Sequence, residues 1–136
     1  MSFSRILSLW APVGAFMLLL YVGSARSDLV LSTPPGWDKV LHAGAYGMLA
    51  GLAIRAFHGG LGRLARWPTV VAMLLTIGYG MLDEIHQSQV AGRDASILDW
   101  IADVVGAGLS VAVLGMLALS RSKRSIREPR TPSHEA

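Results

Sequence analysis

The sequence predicts an all-α integral membrane protein, a four-transmembrane-helix bundle with both termini cytoplasmic. Composition, four apolar stretches of membrane-crossing length and a lopsided distribution of Lys and Arg carry that prediction. Of 136 residues, 52% are hydrophobic and only 15% are charged, and the mean hydropathy is +0.47. Average soluble domains carry about 25% charged residues. A chain this short and apolar has too little interior to hide its apolar surface from water, so lipid is its natural solvent.

A membrane-crossing helix needs about 17–25 mostly apolar residues. Four stretches qualify, at about 6–23, 40–57, 68–85 and 100–119. Each can satisfy its backbone hydrogen bonds internally, as hydrocarbon requires. Ser32-Thr33-Pro34-Pro35-Gly36 interrupts the chain before the second stretch, and Gly59-Gly60-Leu61-Gly62 interrupts it after. Pro68 suits the first turn of the third helix, where its missing N–H costs nothing. Trp10, Trp37, Trp67 and Trp100 fall near the ends of these stretches, where indole rings favour the interface. Residues 1–119 thus form one membrane domain, and 120–136 form a basic, disordered tail.

Lys and Arg concentrate on the cytoplasmic side of a membrane protein. With the N-terminus inside, Arg5, Arg55, Arg63, Arg66, Arg121, Lys123, Arg124, Arg127 and Arg130 are cytoplasmic, against only Arg26, Lys39 and Arg93 outside. The expected location is the bacterial inner (cytoplasmic) membrane, multi-pass. An alternative treats the first helix as a cleavable secretory signal, with Arg5 ahead of an apolar run and small residues Ala25 and Ser27 behind it. Cleavage would leave three helices.

In this orientation every acidic residue from Asp28 to Asp103 falls on the outer side. Asp38, Lys39 and His42 open the second helix. Asp83, Glu84, His86 and Gln87 close the third. Arg93, Asp94, Ser96, Asp99 and Asp103 occupy the last outer loop and the start of the fourth. Asp38, His42 and Tyr46 are four apart and share one stripe, descending roughly 12 Å. Asp83 and Gln87 share a face, as do Asp99 and Asp103. Ionisable groups at membrane depth cost roughly 2.5–3.5 kcal/mol each on insertion scales, so these stripes are expected to face one another. Asp38, Asp83, Glu84, Asp94, Asp99 and Asp103 outnumber Lys39 and Arg93. A compact cluster then implies a protonated His42, protonated carboxyls or a bound cation.

Glycines allow close helix approach. Gly44, Gly47 and Gly51 form a small face on the second helix, Gly47 and Gly51 in G-x-x-x-G spacing. Gly78 and Gly80 lie in the third helix, and Gly106, Gly108 and Gly115 in the fourth. Two readings stand: a homo-oligomer formed through one of these faces, or packing within a tight bundle.

The motifs resemble a known family. Asp38-Lys39-x-x-His42-x-x-x-Tyr46 is similar to the first signature of the VanZ-like family of small bacterial membrane proteins. Asp83-Glu84-x-x-Gln87, Gly92-Arg93 and Ser96-x-x-Asp99, continued by Gly106, are similar to the second. The resemblance covers roughly Trp37 to Gly115. The chain departs from it at Asp103, where the family often has Asn, at Gln89, commonly aromatic, and at Ala91, commonly Pro. The resemblance implies a protein of the cell envelope, and the founding member is linked to resistance to the glycopeptide teicoplanin. It implies no defined reaction.

Three functions are consistent with the residues. The first is binding of an amphipathic, lipid-linked or glycopeptide-related ligand at the outer leaflet through Asp38, Lys39, His42, Tyr46, Asp83, Glu84, Gln87, Arg93, Ser96, Asp99 and Asp103. Arg93 and Lys39 would then face a phosphate or carboxylate, with Trp37 and Trp100 at the mouth. The second is an intramembrane enzyme acting on lipid head groups or wall precursors, with Glu84 or Asp83 as general base and His42 as acid or proton shuttle. The third is a purely structural polar cluster. No cofactor is expected, and no metal motif such as H-E-x-x-H is present. The absence of cysteine excludes disulfides and thiolate chemistry. Membrane lipids are the expected partners, while a net charge of only +3, set mostly by the tail, argues against nucleic acid.

Overall fold

The computed structural model describes residues 2–26, 34, 36–62 and 64–127, without the side chains of 123–127. Ser27, Asp28, Ser32, Thr33, Pro35, Arg63 and the tail from residue 128 lie outside the described residues. The described elements are all helical: α1 (Phe3–Ser24), α2 (Trp37–Phe57), α3 (Arg66–Gln87) and α4 (Ile97–Arg127). Each contains a segment long and apolar enough to cross a membrane. Helix α2 is central and packs against the other three, and α1 rests on α2 and α3.

All four helices begin earlier than their apolar stretches, α1 at Phe3. Helices α2, α3 and α4 start at Trp37, Arg66 and Ile97, because backbone hydrogen bonding continues into polar flanks that a hydrocarbon-length criterion leaves out. Asp38 and Asp99 therefore sit in first turns, where carboxylates oppose the helix dipole favourably. Helix α4 also runs past the expected end at 119 to Arg127. That corrects the reading of the whole tail as disordered. Arg and Lys are good helix formers, and basic residues suit a helix C-terminus.

The interior is small and polar, and the exterior is large and apolar. Helix α3 buries Ala72, Thr76, Gly80, Asp83, Glu84 and Gln87 on one stripe. On its outer surface Leu74 is 66% exposed, whereas Asp103 on α4 is 0% exposed. Leu9 and Val13 of α1 pack with Tyr46, Leu49 and Ala56 of α2, and Ala53 and Ile54 pack with Ala72 of α3. Water-soluble bundles invert this pattern, whereas small residues at helix contacts characterise packing in lipid.

Glycine sets the distance between α2 and α4. A Cβ on Gly106 would overlap the Ala43 carbonyl, and one on Gly47 would lie 3.0 Å from the Gly106 carbonyl oxygen. Ser110 Oγ donates to the Gly47 carbonyl across the same contact. Gly51 faces Ser110, whereas Gly44, Gly78 and Gly108 face open space. Gly47, Gly51 and Gly106 thus serve contacts within the bundle.

Helix α1 is fastened through backbone carbonyls. Pro12 lies inside it and cannot donate to the carbonyl four residues back, that of Ser8. Arg55 Nη1 donates to that carbonyl instead, at 3.2 Å. Arg5 Nη2 donates to Gly59 O at 3.1 Å, and Tyr79 Oη to Met17 O at 2.6 Å. Trp10 meets Phe57 edge to face, with ring centroids 4.8 Å apart.

Gly106→Ala is expected to destabilise the protein by roughly 1–3 kcal/mol, the usual range for overpacking, because its obstacle is backbone that cannot turn aside. Gly108→Ala, with nothing near its Cβ, is expected to be neutral or slightly stabilising. Thermal unfolding in detergent, followed by circular dichroism, distinguishes them.

Candidate functional site

The chain direction brings the start of α2, the end of α3 and the start of α4 to one end of the bundle. Gly36 precedes α2 and Gly92 lies in the α3–α4 turn, both with positive φ, 85° and 81°, which glycine adopts without strain. Those two turns aim the polar flanks at each other.

Lys39 Nζ bridges two helices, donating to Asp38 Oδ2 at 2.7 Å and to Asp99 Oδ1 at 2.9 Å. One turn deeper, His42 Nδ1 pairs with Asp103 Oδ1 at 3.0 Å. Another turn down, the fully buried Tyr46 holds its ring nearly parallel to that of His42, 4° between planes and 6.2 Å between centroids. The Asp38–His42–Tyr46 stripe therefore faces α4 and the bundle interior.

Helix α3 and the following loop supply a second chain. Arg93 Nη2 donates to Gln87 Oε1 at 2.7 Å, and Gln87 Nε2 donates to Asp83 Oδ2 at 3.1 Å. The Ser96 backbone N–H donates to Glu84 Oε2 at 2.7 Å. Among the described residues Arg93 forms no ion pair; it reaches Asp83 only through the Gln87 amide. Asp83, Glu84 and Asp103 each retain a buried carboxylate oxygen without a hydrogen-bond partner, as does the Tyr46 hydroxyl. Such unsatisfied groups cost about 1–3 kcal/mol, more when charged.

A cavity of about 560 Å³ opens here between α1, α2 and the α3–α4 loop. Of the sequence-derived candidates, Asp38, Lys39, His42, Tyr46, Asp83, Gln87, Arg93, Ser96 and Asp99 line it. Glu84 and Asp103 stand behind them, with ligand-capable atoms of His42, Glu84 and Asp103 all within 4.8 Å of one another. Trp37 and Trp100 do not line it, contrary to the expectation that they border its mouth. The Trp100 indole instead donates to Ile77 O at 3.2 Å, tying α4 to α3.

Sequence reasoning missed the fourth wall. Leu19, Leu20, Gly23 and Ser24 of α1 line the cavity, but α1 carries no ionisable residue near this end to signal it. Nor did it pair Tyr21 with His86, whose rings stack 4.3 Å apart. The outer half of α1, from Phe16 to Gly23, is almost uniformly apolar, so it gave no helical periodicity that would have pointed there.

Residues 2–118 match the sequence profile of the VanZ/LLP1 family. The chain belongs to that family, and the match takes in α1, α2 and α3 whole and α4 as far as Ala118. Neither curated proteins nor solved structures provide a significant match.

Gln87→Leu removes both links between Arg93 and Asp83 and leaves the Asp83 carboxylate without a donor. A loss of about 1–3 kcal/mol is expected, read as a lower unfolding midpoint in detergent. Ser88→Ala, on the exposed next position, is expected to change stability by less than about 0.5 kcal/mol.

Proposed function

We propose that this VanZ/LLP1 protein is a multi-pass protein of the bacterial inner membrane whose polar end faces outward and binds an amphipathic, lipid-linked ligand through its anionic head group. The observation that carries the reading is the cavity of about 560 Å³ with Lys39 and Arg93 in its wall. Lys39 is already shared by two carboxylates. Arg93 reaches only a neutral amide, so its planar guanidinium is the better clamp for a phosphate or carboxylate.

Two further features support an amphipathic ligand. An apolar groove of about 1050 Å³ runs along α2 and α4 past Val40, Gly44, Met48 and Leu109, and Lys39 lines both it and the polar cavity. A head group near Arg93 and an acyl chain in the groove would meet at Lys39. The apolar exterior supports insertion, because Leu74, Val105 and Met116 face outward where hydrocarbon would solvate them. The excess of Lys and Arg at the opposite end supports the orientation. Arg5 and Arg55, which hold backbone carbonyls, belong to that end. A part in glycopeptide resistance would follow if the ligand is a lipid-linked wall precursor.

Mass spectrometry of lipids retained by the detergent-purified chain tests the proposal. A phosphate-bearing anionic lipid is expected on the wild type and at least about fivefold less of it on folded Arg93→Ala, since a charge-assisted bond contributes roughly 1.5–3 kcal/mol. Equal retention by both contradicts it. Reporter fusions after Phe57 and after Gln89 are expected to read cytoplasmic and extracytoplasmic; the reverse contradicts the orientation.

A further inference from the structure

The geometry points to a divalent-cation site formed by His42, Glu84 and Asp103, taking a first-row transition ion of the Mn2+ or Zn2+ kind. The three come from α2, α3 and α4, and one donor atom from each lies within 4.8 Å of the others. His42 Nδ1 and Asp103 Oδ1 stand 3.0 Å apart. Two donors about 2.1 Å from a shared ion are separated by roughly 3.0–3.4 Å, for angles between 90° and tetrahedral. Glu84 lies within 4.8 Å of the other two donors, so binding needs it to close in by at most roughly 1.4–1.8 Å to reach that spacing, a side-chain adjustment and not a change of fold. Coordination at Nδ1 replaces the hydrogen bond to Asp103, with the ring proton carried on Nε2.

Independent observations point the same way. Asp103 is 0% and Glu84 7% exposed, yet Asp103 Oδ2 and Glu84 Oε1 have no hydrogen-bond partner. Each carboxylate commits one oxygen, to His42 and to the Ser96 N–H, and leaves the other free. For Glu84 that bond comes from outside the trio, and a carboxylate oriented by an outer hydrogen bond is the usual form of a metal ligand. The cations at this end do not reach the trio: Lys39 is taken by Asp38 and Asp99, and Arg93 by Gln87. A protonated His42 balances at most one of the two carboxylates; the buried charge left over is unfavourable by several kcal/mol, and an ion removes that penalty.

Gly80 fits the same picture. It lies one turn before Glu84 on α3, and a Cβ there would fall 2.7 Å from Asp103 Oδ2. Only glycine lets α3 approach this carboxylate without displacing it. One imidazole with two carboxylates is a mixed donor set that suits Zn2+ and Mn2+ better than Ca2+, which takes six to eight oxygens. Three protein donors also leave at least one position for water or for an oxygen of a bound head group.

The test uses the full chain in detergent, stripped with chelator, and Mn2+ alone as the probe. Electron paramagnetic resonance reads free Mn2+, and Zn2+ is added as competitor. One Mn2+ per chain is expected, displaced by stoichiometric Zn2+, with nitrogen hyperfine coupling that disappears in His42→Gln. Glu84→Gln and Asp103→Asn are expected to weaken binding at least tenfold, and Asp94→Asn to leave it unchanged. Gly80→Ala, which keeps all three donors but presses on Asp103 Oδ2, is expected to weaken binding as well, and it reads the site where a donor substitution fails to fold. Absence of stoichiometric Mn2+, absence of nitrogen coupling, or equal binding by wild type and Asp103→Asn overturns the site. No lipid is added, and the retained-lipid comparison turns on Arg93, which is not one of the three donors, so the two outcomes are distinguishable.

Discussion

The polar end of this protein exists because the backbones of α2 and α4 nearly touch. Gly106 lies against the Ala43 carbonyl with no room for a methyl group, and that approach puts His42 one residue away within reach of Asp103 at 3.0 Å. It also holds Lys39 against Asp99. A larger side chain at Gly106 would separate the helices and break both links together. Two-sided polar contacts of this kind are permitted only because the helix interface is made of small residues, which leave depth for side chains above and below the point of contact.

The consequence is a bundle with an inverted distribution of polarity. Apolar side chains cover its surface, and carboxylates, an imidazole and a phenol fill its interior near one end. Such an interior is stable only when its charges are paired, protonated or joined by an ion. The partial pairing observed here, with Lys39 shared by Asp38 and Asp99 and with Asp83, Glu84 and Asp103 each short of one partner, supports the proposed binding role. A purely structural cluster would be expected to close its own hydrogen bonds.

Much of this was legible in the sequence. The four helices follow from apolar length, and the convergence of Asp38, His42, Asp83, Glu84, Asp99 and Asp103 follows from chain direction and four-residue spacing. The G-x-x-x-G pair was ambiguous, because small faces serve a partner copy as well as a neighbouring helix; only the position of Gly106 opposite Gly47 assigns it to the bundle. The role of α1 was not legible, since Leu19, Leu20 and Gly23 have no distinguishing chemistry. Trp100 was misplaced because an indole near a helix end suits an interface and an inward hydrogen bond equally well. The rescue of Ser8 by Arg55 was hidden because positive charge near a helix end already had a sufficient explanation in topology.

The coupling between His42 and Asp103 is the most direct measure of whether the α2–α4 contact organises the polar end. A double-mutant cycle with His42→Gln and Asp103→Asn, read by unfolding in detergent after chelation, isolates it. The account expects an interaction energy of at least about 1 kcal/mol, within the range for contacting residues. Additive effects, agreeing within about 0.3–0.5 kcal/mol as for distant independent sites, would contradict it.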